Sequence, residues 1–321
     1  SEPPPPPDII MQTAELVDER TIGLIYEITE DVGAFDVRVY KSKDPIFDSQ
    51  DLMIQEAIIV PTGDVGNGTV ILTDTSPRDS SYPYLLVVAD PNNTISEIDE
   101  SNNSVAFQPD TDGDGLLDLW ETKGLDIDGD GIREFKLSDF GADPLKKDIF
   151  VEIDYMQSQS HSHQLAPAAI EQVLNAFANA PVQNPDGTTG IVLHVDAGPD
   201  SLMDPGPDNA WGTDDDLRWK KDFSKATSIA EIPVLGSFTI EDGVERYQWT
   251  EFDTLKAQHF STARHEVFHY AISGHDLGYL PRNYSGISRN SASVRKGASD
   301  FLITLGDVQS EYAQSGVLMH E

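Results

Sequence analysis

The sequence predicts a multidomain fold: an all-β sandwich over 9–108, cation-binding loops over 109–146, and an α/β domain over 147–321. Three observations predict it. Short runs rich in Val, Ile and Tyr, several of them separated by turn clusters, fill the first hundred residues. Near residue 109 the text changes to Asp, Gly and short apolar pairs. From Lys147 onward strand-like and helix-like periods alternate, the order of an α/β layer.

Residues 1–8, SEPPPPPD, form a proline-rich stiff spacer that resembles a linker cut partway, neither an initiator methionine nor a signal peptide. The strands expected next are TIGLIYEI (21–28), FDVRVY (35–40), EAIIV (56–60), GTVILT (68–73) and YLLVVAD (84–90). Turns such as PTGDVGNG, SPRDSS and DPNN stand between several of them, and no convincing helix interrupts, so the expected architecture is antiparallel. The stretches YKSKDPIFDSQDLMI and VVADPNNTISEIDESNNSVAF resemble the bacterial cell-adhesion-related (CARDB) Ig-like domain over residues 9–108. That resemblance implies an extracellular spacer or accessory role.

Residues 110–121, DTDGDGLLDLWE, carry Asp110, Asp112 and Asp114 at alternate positions before Gly115 turns the chain. Leu116 then offers a carbonyl, Asp118 acts directly or through water, and Glu121 closes bidentately, the oxygen set a hard cation such as calcium needs. A second run, DIDGDGIRE, repeats the pattern with Asp126, Asp128, Asp130, Ile132 and Glu134. Its twelfth position is Leu137, so Glu134 or Asp139 substitutes there or the loop binds weakly. The pair resembles the tandem calcium loops of thrombospondin type 3 and dockerin-like modules, which implies a structural role.

In the third part KDIFVEIDYM (147–156) alternates as a strand, with Ile149, Val151, Ile153 and Tyr155 on one face. APAAIEQVLNAFANA (166–180) places Ile170, Val173, Leu174 and Phe177 at helical spacing behind Pro167. GIVLHVDAG (190–198) is a second buried strand, WTEFDTLKAQHFSTA (249–263) a helix with Phe252, Leu255, His259 and Ala263 on one stripe, and VFHYAIS (267–273) another strand. SDFLITLG (299–306) is a strand expected at an edge, and a helix begins near 312.

Fifty-six acidic residues against 21 basic ones give a formal net charge of −35, which repels nucleic acid and anionic membranes and suits divalent cations. There is no cysteine, hence no disulfide, thiolate zinc site or cysteine nucleophile. No apolar run reaches the roughly 18 residues of a membrane span, so membrane insertion is not expected. No G-x-S-x-G elbow supports a serine hydrolase.

The stretch HEVFHYAISGH (265–275) has the spacing of a zinc peptidase site: His265, His269 and His275 as ligands, Glu266 as the base. Against it, the glycine its turn requires is Ile272, and the β-branched and aromatic residues favour a strand. A strand would hold positions i and i+4 about 13 Å apart. The chain's last residues, GVLMHE, offer another His-Glu pair at the start of a helix. The segments DTDGDGLLDLWE, GADPLKKDIFVEIDYM, LHVDAGPDSLMDPG, VFHYAISGHDLG, SGISR, SDFLITLG and GVLMHE resemble a family of secreted bacterial zincin-like metallopeptidases over about 109–321.

That resemblance implies a zincin-like α/β domain, incomplete at its C-terminus, with His320 as first zinc ligand and Glu321 as catalytic general base. It implies a fragment of a secreted or cell-surface zinc endopeptidase: calcium-stabilised, inactive in this form, with zinc in the complete parent and a protein or peptide as substrate. Other extracellular domains of the same parent are the further partners expected. The site at 265–275 stays open as an alternative, as does a calcium-dependent adhesion or binding protein without catalysis. His161 and His163 read as loop residues, His194 as a core or edge histidine, and Asp204, Asp208, Asp214, Asp215 and Asp216 as a solvated acidic loop or a third calcium site.

Overall fold

The computed structural model describes residues 5–18, 21–54, 58–61, 65–73, 81–127, 132–198, 202–204, 206–207, 217–218, 224–241, 243–278, 285–289, 300–306 and 310–320. The chain divides into two compact units: 1–113 with 117–124, and 114–116 with 125–321. It is rich in β-structure with few helices, and none of its described helices is long and apolar enough to cross a membrane.

The first unit is an antiparallel β-sandwich, as its alternating apolar pattern predicts. Its strands are β1 (Ile9–Asp18), β2 (Thr21–Ile28), β3 (Phe35–Ser42), β4 (Leu52–Met53), β5 (Ile58–Val60), β6 (Gly66–Thr73), β7 (Tyr84–Ala89) and β8 (Ser104–Phe107). One sheet has the order β1-β2-β6; the other runs β4-β3-β7-β8, with β5 also pairing with β3. Period-two alternation sends Ile22, Leu24, Tyr26 and Ile28 of β2 inward to meet Phe35, Val37 and Val39 of β3. Each buried aliphatic side chain contributes about 1.5–3 kcal/mol of transfer free energy.

Strand β7 is apolar on both faces for a reason. Leu85, Val87 and Ala89 enter the main core, while Leu86 and Val88 join Tyr40 in a smaller cluster under Phe47. Gly68 faces Tyr26 in the β2–β6 register, and a Cβ there would lie 2.2 Å from the tyrosine ring. The ring's edge-on contact with Phe35, at 5.8 Å between centroids, depends on that space. A short helix, α1 (Asp118–Lys123), completes this unit.

The second unit is built on β9 (Asp148–Gln157), α2 (Pro167–Ala178), β10 (Val192–Asp196), β11 (Leu202–Asp204), β12 (Leu217–Arg218), β13 (Ser228–Ala230), β14 (Ser237–Glu241), β15 (Val244–Gln248), α3 (Thr250–His259), β16 (Phe268–Gly274), β17 (Gly286–Ser288), β18 (Phe301–Thr304) and α4 (Glu311–His320). Its main sheet has the order β10-β9-β16-β18-β17, and β13 also pairs with β9. The pairings are parallel apart from β17 on β18. Strand β10 takes the first half of β9 and β13 takes its end.

One sheet face, with Val151, Ile153, Leu193, Val195, Ala271, Phe301 and Ile303, packs with Ile170, Val173 and Leu174 of α2 and Leu318 of α4. Residues of β9 that alternate with these, Asp148, Phe150, Glu152 and Asp154, are buried too. Strands covered on both faces explain the near-continuous apolar runs of the sequence.

Two expectations are corrected here. The strand at 299–306 is not an edge, because β17 pairs along it on the side away from β16. The helix expected over 249–263 ends at His259, where Phe260 turns extended (φ −85°, ψ 126°), and of its stripe only Phe252 is buried. A 3-10 turn, Thr262–Arg264, follows and delivers a buried Arg264.

Candidate metal centre

In parallel α/β sheets, the carboxyl ends of the strands are where loops from separate strands converge and ligands bind. Three such ends meet here. The loop after β9 carries His161 and His163, the residue after β13 is Glu231, and the residue after β16 is His275. The pairings of β13 and β16 with β9 align these ends.

Ligand-type atoms of these four residues lie within 4.8 Å of one another. The imidazole centroids form a near-equilateral triangle: His161 to His163 4.9 Å, His163 to His275 5.3 Å, and His161 to His275 5.5 Å. Glu231 Oε1 sits 3.0 Å from His161 Nε2, 3.4 Å from His163 Nε2 and 3.7 Å from His275 Nδ1. Side-chain exposure grades from 3% at His163 and 18% at Glu231 to 28% at His161 and 37% at His275, so one side of the cluster meets solvent.

Backbone bonds fix each member locally. The His163 N–H donates to the Met156 carbonyl at 2.9 Å, and the Glu231 N–H donates to the Gln157 carbonyl at 3.1 Å. The Gly306 N–H donates to the His275 carbonyl at 3.2 Å. His161 Nδ1 lies 3.1 Å from the hydroxyls of both Ser158 and Ser160, which leaves Nε2 directed at Glu231. Burial, joined by the His161 and His275 charges and opposed by Glu231, holds the His163 imidazole below its usual pKa. Burial acts to raise the Glu231 carboxyl, but hydrogen bonds from His161, His163 and Ser158 outweigh it and hold it low. His163 is thus held toward its neutral form beside a carboxyl held toward its ionised form.

Sequence reasoning missed three of these four residues. His161 and His163 were expected as loop residues, and Glu231 was not singled out. The visible signal was S-H-S-H directly after a strand, which places two imidazoles two residues apart. Their partners lie 68 to 114 residues onward, beyond any local motif.

Within the stretch 265–275, residues Phe268–Gly274 form a strand, as its β-branched and aromatic residues predict. His265 follows the 3-10 turn, His269 is inside β16, and His275 lies one residue past its end. His269 and His275 are separated by about 20 Å of extended chain. His265 instead stacks on Phe260, with centroids 5.0 Å apart, and both His265 and Glu266 are exposed. His275 is the member of that triple that joins a ligand-type cluster among the described residues.

His320 is exposed in the last turn of α4, and Glu321 lies outside the described residues. No group of three or more ligand-type side chains among the described residues includes His320. The described residues do not form a zinc shell around it. His194 is buried against Asp148, Nε2 to Oδ1 at 2.5 Å, and stacks on Phe150.

Of the calcium-loop residues, Asp110, Asp112, Asp118 and Glu121 belong to the first unit, and Asp114, Leu116, Asp126, Ile132 and Glu134 to the second. Asp110 Oδ1 accepts the Gly113 N–H at 2.8 Å. Gly115 takes a left-handed φ of 100°, the turn expected of it. Asp118 accepts both the N–H and the hydroxyl of Thr111 at 2.7 Å, which makes it a brace for the loop. Asp114 accepts the N–H groups of Leu116 and Asp148 at 2.7 and 2.6 Å. Glu134 accepts the Ile127 N–H at 2.8 Å beside a Leu125–Phe135 bridge. Asp128 and Asp130 lie outside the described residues, as do Asp208, Asp214, Asp215 and Asp216.

No protein-family model matches the chain, and no curated protein matches it. Among solved structures it is similar to a domain described as from a cell surface protein of Methanosarcina acetivorans (18% identity, TM-score 0.26, covering 32% of this chain and 91% of that one). It is also similar to the CARDB domain of the PF1109 protein of Pyrococcus furiosus, crystallised in complex with di-metal ions (16% identity, TM-score 0.23, covering 32% and 94%). These neighbours, cell-surface and CARDB domains, each cover about a third of the chain.

Proposed function

We propose that the second unit is the α/β part of an extracellular metal-dependent peptidase whose chain also holds a β-sandwich spacer and binds calcium through residues of the 110–121 loop. The observation that supports it is α4. This helix packs on the parallel sheet through Leu318 and ends at His320, so His320 stands in the last turn of a sheet-backed helix. Helical placement is what a His-Glu zinc motif requires. In the longest natural form of the protein, Glu321→Gln is expected to lower peptide hydrolysis by about 10²–10⁴-fold, the usual contribution of a general base. Unchanged turnover in that variant sinks the reading.

A non-catalytic extracellular binding protein is the second reading. It is favoured by the lack of any described ligand cluster around His320. Absence of hydrolysis in the natural form would select it.

Calcium is expected to stabilise either form. At a concentration 100 times its Kd, calcium adds about 2.7 kcal/mol if it binds only the folded state. Thermal melts with calcium and with chelator should therefore separate, and Glu121→Gln should close the gap. Superimposed melts of the unaltered protein would remove calcium from the account.

A further inference from the structure

We propose that His161, His163, His275 and Glu231 form a zinc site of their own, closed by four protein ligands. It is separate from the His-Glu pair of α4 and does not depend on the peptidase reading. It fastens the ends of β9, β13 and β16 to one another.

The chemistry of the donors points to zinc. Three imidazoles and one carboxylate, with no thiolate, suit a borderline-soft divalent ion and suit calcium or magnesium poorly, because those take oxygen ligands. The geometry is close to a finished shell. A tetrahedral zinc with bonds of about 2.1 Å places its ligand atoms about 3.4 Å apart. The four observed atoms already lie within 4.8 Å, from side chains on three separate strand ends.

The arrangement is also poorly explained without an ion. His275 Nδ1 is shielded from water and has no hydrogen-bond partner among the described residues. Three imidazole nitrogens face one carboxylate oxygen, whose lone pairs cannot serve three donors equally. An ion near the centre of the triangle would give every one of these atoms a partner. The outer contacts suit it too: with Nε2 of His161 on the metal, its Nδ1–H can donate to Ser158 or Ser160, the second contact that metal-bound histidines ordinarily make.

Glu231 is assigned as the fourth ligand, not as a base acting on bound water. Its backbone is pinned to β9, and its Oε1 is the atom nearest all three histidines. A carboxylate there fills the position an open catalytic site would keep for water. The consequence is mechanical. Strand β13 is three residues long and returns after an excursion from β10, so a metal tie at Glu231 holds that return in register.

The test is zinc titration of the metal-stripped chain with a competing chelator, followed by cobalt(II) substitution. One zinc per chain is expected at this site, with affinity at least 100-fold weaker in His163→Ala and weakened in Glu231→Gln and His161→Ala, the last a more exposed position chosen in case His163→Ala misfolds. His320→Ala and His265→Ala should leave the affinity unchanged. Cobalt should give the intense visible bands of four-coordination, lost in the site variants. Zinc held equally by the wild type and His161→Ala overturns the site. Weak six-coordinate cobalt bands overturn the closed, four-ligand form. Loss of binding in His320→Ala alone overturns the separateness of the two positions and favours the α4 site instead.

Discussion

At a pH above about 7, where Glu152 is ionised, replacing Arg264 by leucine is expected to cost the second unit about 3–5 kcal/mol, the penalty for leaving a buried charge without its partner. Arg264 is 2% exposed, and one guanidinium nitrogen donates to Glu152 Oε2 at 2.5 Å and to Asp196 Oδ2 at 2.6 Å. The guanidinium also lies over the Phe268 ring, 4.4 Å from its centroid, a further attraction leucine cannot replace. The two carboxylates do not depend on it equally. Asp196 is also held by the N–H groups of Gly198 and Lys225 and by the Ser224 hydroxyl. Glu152 is fully buried, and its other oxygen has no hydrogen-bond partner among the described residues. The cost therefore falls mainly on Glu152, so adding Glu152→Gln to Arg264→Leu should recover part of it. Urea denaturation of the single and double variants measures both. A loss below about 1 kcal/mol in the single variant would mean that water reaches Glu152.

This network shows what the sequence did and did not make legible. The strands and helices were readable because each apolar period is local: Ile22, Leu24, Tyr26 and Ile28 announce one face of a strand, and Ile170, Val173 and Leu174 one face of a helix. The strand over 268–274 was readable against a tempting zinc motif, because β-branched and aromatic residues outweigh the spacing of two histidines. The metal cluster was not readable. Its members are brought together by parallel pairing of β9, β13 and β16, which depends on sheet order and not on any spacing along the chain. The buried ions were hidden for a related reason. Glu152 and Asp154 interrupt an apolar strand, which reads as a polar outer face until the second covering layer is seen.

Stability of the second unit is expected to fall as pH rises from about 4.5 to about 7, and Glu152 is the group responsible. Burial is the largest influence on its carboxyl and raises it from 4.5 to about 7; the Arg264 charge pulls the other way, and Asp196 adds to the rise. The folded state thus binds a proton at Glu152 that the unfolded chain has released in this range. Fewer protons bound on unfolding means stability decreases with pH there. The contribution is complete below 4.5 and is gone once pH passes the folded value near 7. Its full size is of the order of 3 kcal/mol, from 1.36 kcal/mol per pH unit. Glu152→Gln fixes the side chain in its uncharged form and should flatten this part of the profile while keeping a hydrogen-bond acceptor for Arg264. Buried Asp154, also raised by burial, accepts the Tyr270 hydroxyl at 2.6 Å and the Thr227 N–H, and should leave a smaller slope of the same sign. Urea midpoints at half-unit steps from pH 4.5 to 7.5, with calcium and zinc held constant, decide the matter. A slope that survives unchanged in the glutamine variant would transfer it from Glu152 to other carboxylates.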